Sequence, residues 1–123
     1  MMKICKTYTF AASHHLPNHL GKCRRLHGHN YRVEVEVEGE VLKWGSSEGM
    51  VMDFSLLDEF MEPILNGLDH YNLNDTLPAT YFPPTAENTA LYISDVLLGG
   101  LRGVTLSRVR VWETDKAWAE WSA

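Results

Sequence analysis

In the run Cys23-Arg24-Arg25-Leu26-His27-Gly28-His29, a thiol stands four residues ahead of one imidazole and six ahead of another. That spacing serves two chemistries. Zinc takes both cysteine and histidine as ligands, so the run could help close a structural site. Alternatively, the imidazoles hold the metal and the thiol stays free to react. A catalytic zinc site typically keeps three protein ligands and one open position. His27 and His29 would supply two, and His14-His15 is the nearest source of a third. Neighbouring residues of a strand face opposite ways, so only one of this pair can point inward. His14 shares the parity of Phe10, a core candidate, and is favoured over His15. On the residues alone, a three-histidine site and a Cys/His3 structural site both stand.

Three other features carry possible chemistry. Asp69-His70 could form a proton relay in which the carboxylate orients the imidazole, although such pairs are common in loops. Glu113 continues an apolar strand face. If buried it needs partners, and a ligand with two adjacent N–H groups would serve. Arg24 and Arg25 flank the thiol, where they lower its pKa, attract an anionic substrate or stand as solvated loop charges.

These groups need a frame. Residues 30–39, NYRVEVEVEG, alternate strictly between apolar and polar, which predicts a half-buried strand. Extended backward, that strand puts His27 and His29 on the face of Tyr31 and Val33. Residues 3–13 also read as a strand, followed by a loop at 17–22. Residues 42–49 read as a second loop. Leu56, Leu57, Phe60, Met61, Ile64, Leu65 and Leu68 recur at helical spacing. Ser55 is the expected N-cap of this helix, Asn66-Gly67 its stop and Pro63 a possible kink. A second helix is expected from Thr85, after Pro83-Pro84, to Gly99-Gly100. Strands at 104–114 and 116–121 complete the order ββααββ. Runs of strands and helices that do not alternate one by one indicate α+β, with two helices on one face of an antiparallel sheet. Such a sheet has two open edges, which closure into a barrel with other copies would remove.

The 123 residues suffice for one domain, read as 1–123. A hydrophobic content of 45% and a charged content of 22% are those of a globular chain. A net charge of −5 argues against nucleic acid as a partner. No apolar run is long enough to span a bilayer, so no membrane association is expected. Two cysteines, Cys5 and Cys23, in an otherwise ordinary composition read as reduced thiols of a cytoplasmic protein.

Taken together, the motifs resemble the 6-pyruvoyl-tetrahydropterin synthase family across nearly the whole chain. The matching stretches are Phe10–His14, Cys23–Tyr31, Gly49–Phe54, Leu68–His70, Leu73-Asn74, Pro84–Asn88 and Trp112–Thr114. The likeness is greatest to the bacterial branch that makes 6-carboxy-tetrahydropterin for queuosine. The resemblance implies the T-fold, or tunnelling fold, in which trimers close into a barrel and two trimers stack as a homo-hexamer. It implies zinc on His14, His27 and His29, and catalysis by Cys23, Asp69, His70 and Glu113. It also implies contacts of Glu113, Thr85 and Glu87 with a pterin triphosphate substrate. The implied reaction gives 6-carboxy-5,6,7,8-tetrahydropterin, acetaldehyde and triphosphate. Triphosphate elimination to a 6-pyruvoyl product, or a non-catalytic zinc-stabilised pterin binder, are the alternatives. One departure is His15, which stands where the family usually has Arg.

Overall fold

The computed structural model of the chain describes residues Met1–Ala123. Strand β1 (Met2–His14) pairs antiparallel with β2 (His27–Gly39), from Met2 opposite Gly39 to His14 opposite His27. Strands β3 (Thr105–Thr114) and β4 (Ala117–Ser122) extend the sheet in the order β1-β2-β3-β4. Helix α1 (Phe54–Leu68) packs on β1, and α3 (Ala86–Gly100) on β3 and β4. This is the expected α+β architecture, and β2 does extend back through both histidines.

Alternation explains the sheet. Tyr31, Val33, Val35 and Val37 are buried, while the residues between them are more exposed. Phe10 and Ala12 of β1 and Val109 and Val111 of β3 join them in one core with the helices. The β2–β3 register shifts between Glu36 and Val37, so Leu106 and Val109 both face inward despite their opposite parity.

Helix α1 buries Leu57, Met61, Ile64 and Leu68 as one stripe. Each such side chain contributes about 1.5–3 kcal/mol by leaving water. The cap is Asp53 rather than Ser55: its Oδ1 accepts from the Ser55 amide at 2.9 Å and the Ser55 hydroxyl at 2.8 Å. Asn66-Gly67 does not stop the helix. It runs on to Leu68, which the core holds at 1% exposure. Pro63 lies inside it, on the exposed side, with buried Met61 and Ile64 anchoring either flank. Helix α3 starts where expected, with the Thr85 hydroxyl accepting from the Asn88 amide at 3.1 Å.

A short helix not anticipated from the sequence, α2 (Leu73–Thr76), follows α1. The segment leading into it lies along the outer edge of β1. The Asp69 carboxylate and the His70 amide bond both main-chain groups of Ala11, at 2.8 and 2.6 Å. The Ser13 amide donates to the Tyr71 carbonyl, and Asn74 uses both ends of its amide on the His15 backbone. This covers the β1 edge from Ala11 to His15.

Candidate metal centre and active site

His14 closes β1 on the core face, and His27 and His29 open β2 on the same face. Their ring nitrogens converge, with one potential ligand atom from each within 4.8 Å of the others. His14 is 1% exposed, and His15 contributes its backbone to Asn74.

The hydrogen bonds fix the tautomers. His14 Nδ1 lies 2.7 Å from the Pro84 carbonyl, and His27 Nδ1 lies 2.7 Å from the Arg25 carbonyl. A carbonyl only accepts, so each Nδ1 carries the proton and each Nε2 a lone pair. Those two Nε2 atoms are 3.0 Å apart, a repulsive approach unless a cation lies between them. His29 Nε2 is buried with no hydrogen-bond partner. Burial, opposed by Glu113, lowers the pKa of His29 and favours the neutral form that ligates. These donors fit a divalent metal that accepts imidazole nitrogen.

Beside this cluster is a cavity of about 550 Å³, lined by Lys22, Cys23, Arg25, His27, His29 and Glu113 among others. Cys23 is half-buried and free of any disulfide. It sits in a 3₁₀ turn over Lys22–Arg24, tied down by the Leu16 amide donating to the Cys23 carbonyl at 2.8 Å. The Glu113 carboxylate lies 3.6 Å from His29 Nε2 and 4.0 Å from His14 Nε2. No protein group donates a hydrogen bond to it, although its side chain is only 28% exposed. It is therefore a partly desolvated acceptor without a donor.

Asp69 and His70 lie elsewhere. Asp69 Oδ2 is 2.9 Å from His70 Nδ1. The Asp69 carboxyl titrates below its usual value, held down first by the Ala11 amide and then by His70. His70 adopts φ 64°, a left-handed backbone, and its side chain is 82% exposed. Its cavity, about 450 Å³, includes Ala11, Ser13, Gly28 and Asn30. Those residues have the opposite parity to the three histidines, but Ala12, which shares the parity of His14, and His29 itself line this cavity too. One chain thus presents the cysteine and the Asp-His pair in separate cavities that have only His29 in common.

Thr85 and Glu87 are not among the residues lining either cavity. Thr85 caps α3, and Glu87 is exposed near Leu91 and Trp121. Several contributors went unread in the sequence: the Pro84 and Arg25 carbonyls, Asn74, and Tyr31, whose hydroxyl is 3.3 Å from His14 Nδ1. Only Tyr31 carried a signal, its parity with His27 and His29.

A four-stranded antiparallel sheet and helices on one face define a T-fold subunit, with three imidazoles at its end that could hold a metal. More particularly, the chain belongs to the 6-pyruvoyl tetrahydropterin synthase family, whose model matches residues 3–123. It is 50% identical over 95 residues to a 6-carboxy-5,6,7,8-tetrahydropterin synthase of Synechocystis sp., covering 76% of this chain and 72% of that one. It is 43% identical over 89 residues to a dihydroneopterin monophosphate aldolase of Pyrococcus furiosus, covering 72% and 70%. The solved Caenorhabditis elegans 6-pyruvoyl tetrahydropterin synthase superposes with a TM-score of 0.86 at 28% identity, covering 99% and 95%.

Proposed function

We propose that this chain converts 7,8-dihydroneopterin triphosphate and water to 6-carboxy-5,6,7,8-tetrahydropterin, acetaldehyde and triphosphate, for queuosine synthesis in the cytoplasm. The observation carrying this reading is the convergence of three imidazole nitrogens beside a cavity shared with a free thiol and an unsatisfied carboxylate. The 50% identical relative bears the corresponding name. The carboxypterin and acetaldehyde together have the composition of dihydroneopterin, so the reaction needs no external oxidant or reductant. Both thiols are free, as a reducing compartment requires.

Each group has a defined part. His14, His27 and His29 would hold zinc, which when bound supplies Lewis acidity toward the substrate's side-chain hydroxyls. Cys23 Sγ takes a proton from the carbon side chain as a thiolate. His70, oriented through Nδ1 by Asp69, has Nε2 free to move a second proton. Glu113 accepts the paired N–H groups of the pterin ring, the donors its carboxylate lacks within the chain. In this reading Thr85 and Glu87 meet substrate from a neighbouring subunit.

The placement of Cys23 and Asp69-His70 in separate cavities is best met by a site shared between chains. The outer edge of β4 is unpaired, and Asp69–Asn74 leaves the Met2–Thr9 part of β1 free. Closure through these edges into a trimeric barrel, and stacking into a hexamer, would bring the two half-sites together.

A second reading, elimination of triphosphate to a 6-pyruvoyl product, uses the same groups and has the nematode structure in its favour. Incubating the zinc-loaded protein with dihydroneopterin triphosphate and weighing the products decides between them. The carboxypterin mass with acetaldehyde is expected. The pyruvoyl mass alone would replace the first reading by the second, and no conversion would leave a pterin-binding protein.

A further inference from the structure

We propose that Lys22, Arg24 and Arg25 form the polyphosphate subsite, a reading that rests on the triphosphate substrate assigned above. These three residues, with Leu20 and Gly21, line a cavity of about 490 Å³. Lys22 and Arg25 also line the cavity that holds Cys23, His27, His29 and Glu113. Two cations therefore belong to both spaces. A ligand with its ring on Glu113 and its side chain beside Cys23 would run its far end onto them.

The charges are also uncommitted. Lys3, Lys6, Arg108 and Arg110 are each paired with a carboxylate. The side chains of Lys22, Arg24 and Arg25 make no ion pair or hydrogen bond; Lys43 and Lys116 are also without a carboxylate partner but lie outside this cavity. In a chain of net charge −5, three free cations among four consecutive residues are a local reversal of sign. Their backbone is held in place: the Arg24 amide donates to the Gly21 carbonyl at 3.2 Å, and the Arg25 amide to the Lys22 carbonyl at 3.0 Å. The Gly21 amide in turn donates to His19 Nδ1 at 2.9 Å. A fixed turn bearing exposed cations suits a flexible, highly charged chain of phosphates. Three cations exceed what one phosphate group requires, so the subsite has charge enough for a polyphosphate.

The test measures binding apart from turnover. Neopterin and neopterin triphosphate, the fully oxidised analogues, are titrated by pterin fluorescence. Proteins compared are the wild type, each of Lys22→Gln, Arg24→Gln and Arg25→Gln, and the triple variant. Zinc content and thermal midpoint verify that each is folded and loaded. The wild type is expected to prefer the triphosphate by about a hundredfold or more, with the preference falling as salt rises. Each single change should cost about fivefold to tenfold of that preference. The triple variant should bind both ligands alike, with neopterin affinity unchanged. A folded triple variant that keeps the preference overturns the subsite, as does a wild type that binds both pterins equally. Either result leaves the pterin reading standing. A wild type that binds neither pterin and turns over no substrate overturns that reading and this subsite with it. Should the triple variant not fold, the three single variants and the salt dependence of the wild type decide: preference unchanged in all of them overturns the subsite.

Discussion

The histidine end of the sheet and the loops beside it are built by different means. His14, His27 and His29 ride on two strands paired with each other along their whole length, with the outer ring nitrogens of His14 and His27 pinned by main-chain carbonyls. Cys23 sits in a single 3₁₀ turn, and His70 is largely exposed at a strained backbone angle. A ligand set must be preorganised to within fractions of an ångström, and strands provide that. Groups that move protons need access to substrate, and they stand on loops that a rigid frame positions. The three imidazoles that could hold a metal all come from one chain, whereas the groups proposed to move protons lie in separate cavities of that chain.

The sharpest way to break this contrast is to remove one member from each side. His14→Ala is expected to lose its zinc, measured by elemental analysis, together with all activity. Cys23→Ala should retain about one zinc per chain and lose about 10²–10⁴ in kcat. If Cys23→Ala loses zinc in step with activity, the cysteine is a ligand and the division fails.

The next largest effect concerns the division itself. Cys23→Ala and His70→Ala, each nearly inactive, should regain partial activity when unfolded and refolded together, with a maximum near equal amounts. Mixing the assembled variants without subunit exchange should restore nothing. Absence of recovery in verified mixed oligomers would place both groups of one site in one chain.

Glu113→Gln tests the carboxylate between the two regions. Exchanging one acceptor for a donor should weaken pterin binding about tenfold or more, as a charged hydrogen bond contributes about 1.5–3 kcal/mol. Zinc content should not change. Metal loss with intact pterin affinity would move Glu113 to the ligand side.

A smaller effect isolates the cost of the exposed relay. A left-handed backbone disfavours His70 by about 1–2 kcal/mol, partly offset by the added freedom of glycine in the unfolded chain. His70→Gly should therefore raise the thermal midpoint slightly while activity falls. A lowered midpoint would mean that the side chain supports the fold.

The smallest effect is electrostatic. Asp58 bonds Lys6 and Tyr8, and Asp69 bonds Ala11 and His70, so both carboxyls titrate below the ordinary value of 3.8. Their contribution is full at neutral pH and is lost as pH falls from that value through the lower folded one. Acid unfolding should thus begin below about pH 4, and Asp58→Asn should flatten the profile. An unaltered profile would remove Asp58 from the account.

Much of this frame was legible because burial leaves periodic traces. The alternation at 30–39 and the parity of His14 with Phe10 suffice to place three imidazoles on one face. Thr85 as a cap followed from residue chemistry alone. The cap of α1 was misread because Ser55 and Asp53 both suit that role, and only the bonds to Asp53 decide it. Helix α2 was missed because its four residues bury only Leu73, too little for a period to show. The backbone carbonyls that orient the histidines leave no mark in side-chain identity. The face onto which His70 opens depends on how Asp69–Asn74 lies along β1, a long-range contact no local pattern encodes.

His14 and His27 form the last rung of the β1–β2 ladder. A slip of one residue would turn His27 and His29 to the other face, leaving His14 alone. Correct strand alignment is therefore the condition for assembling the three-nitrogen site, and an ion bound there favours that alignment over its neighbours. Its binding free energy adds to that of folding. A metal held there would act as a proofreader of the hairpin: a chain whose first two strands pair out of step could not retain it.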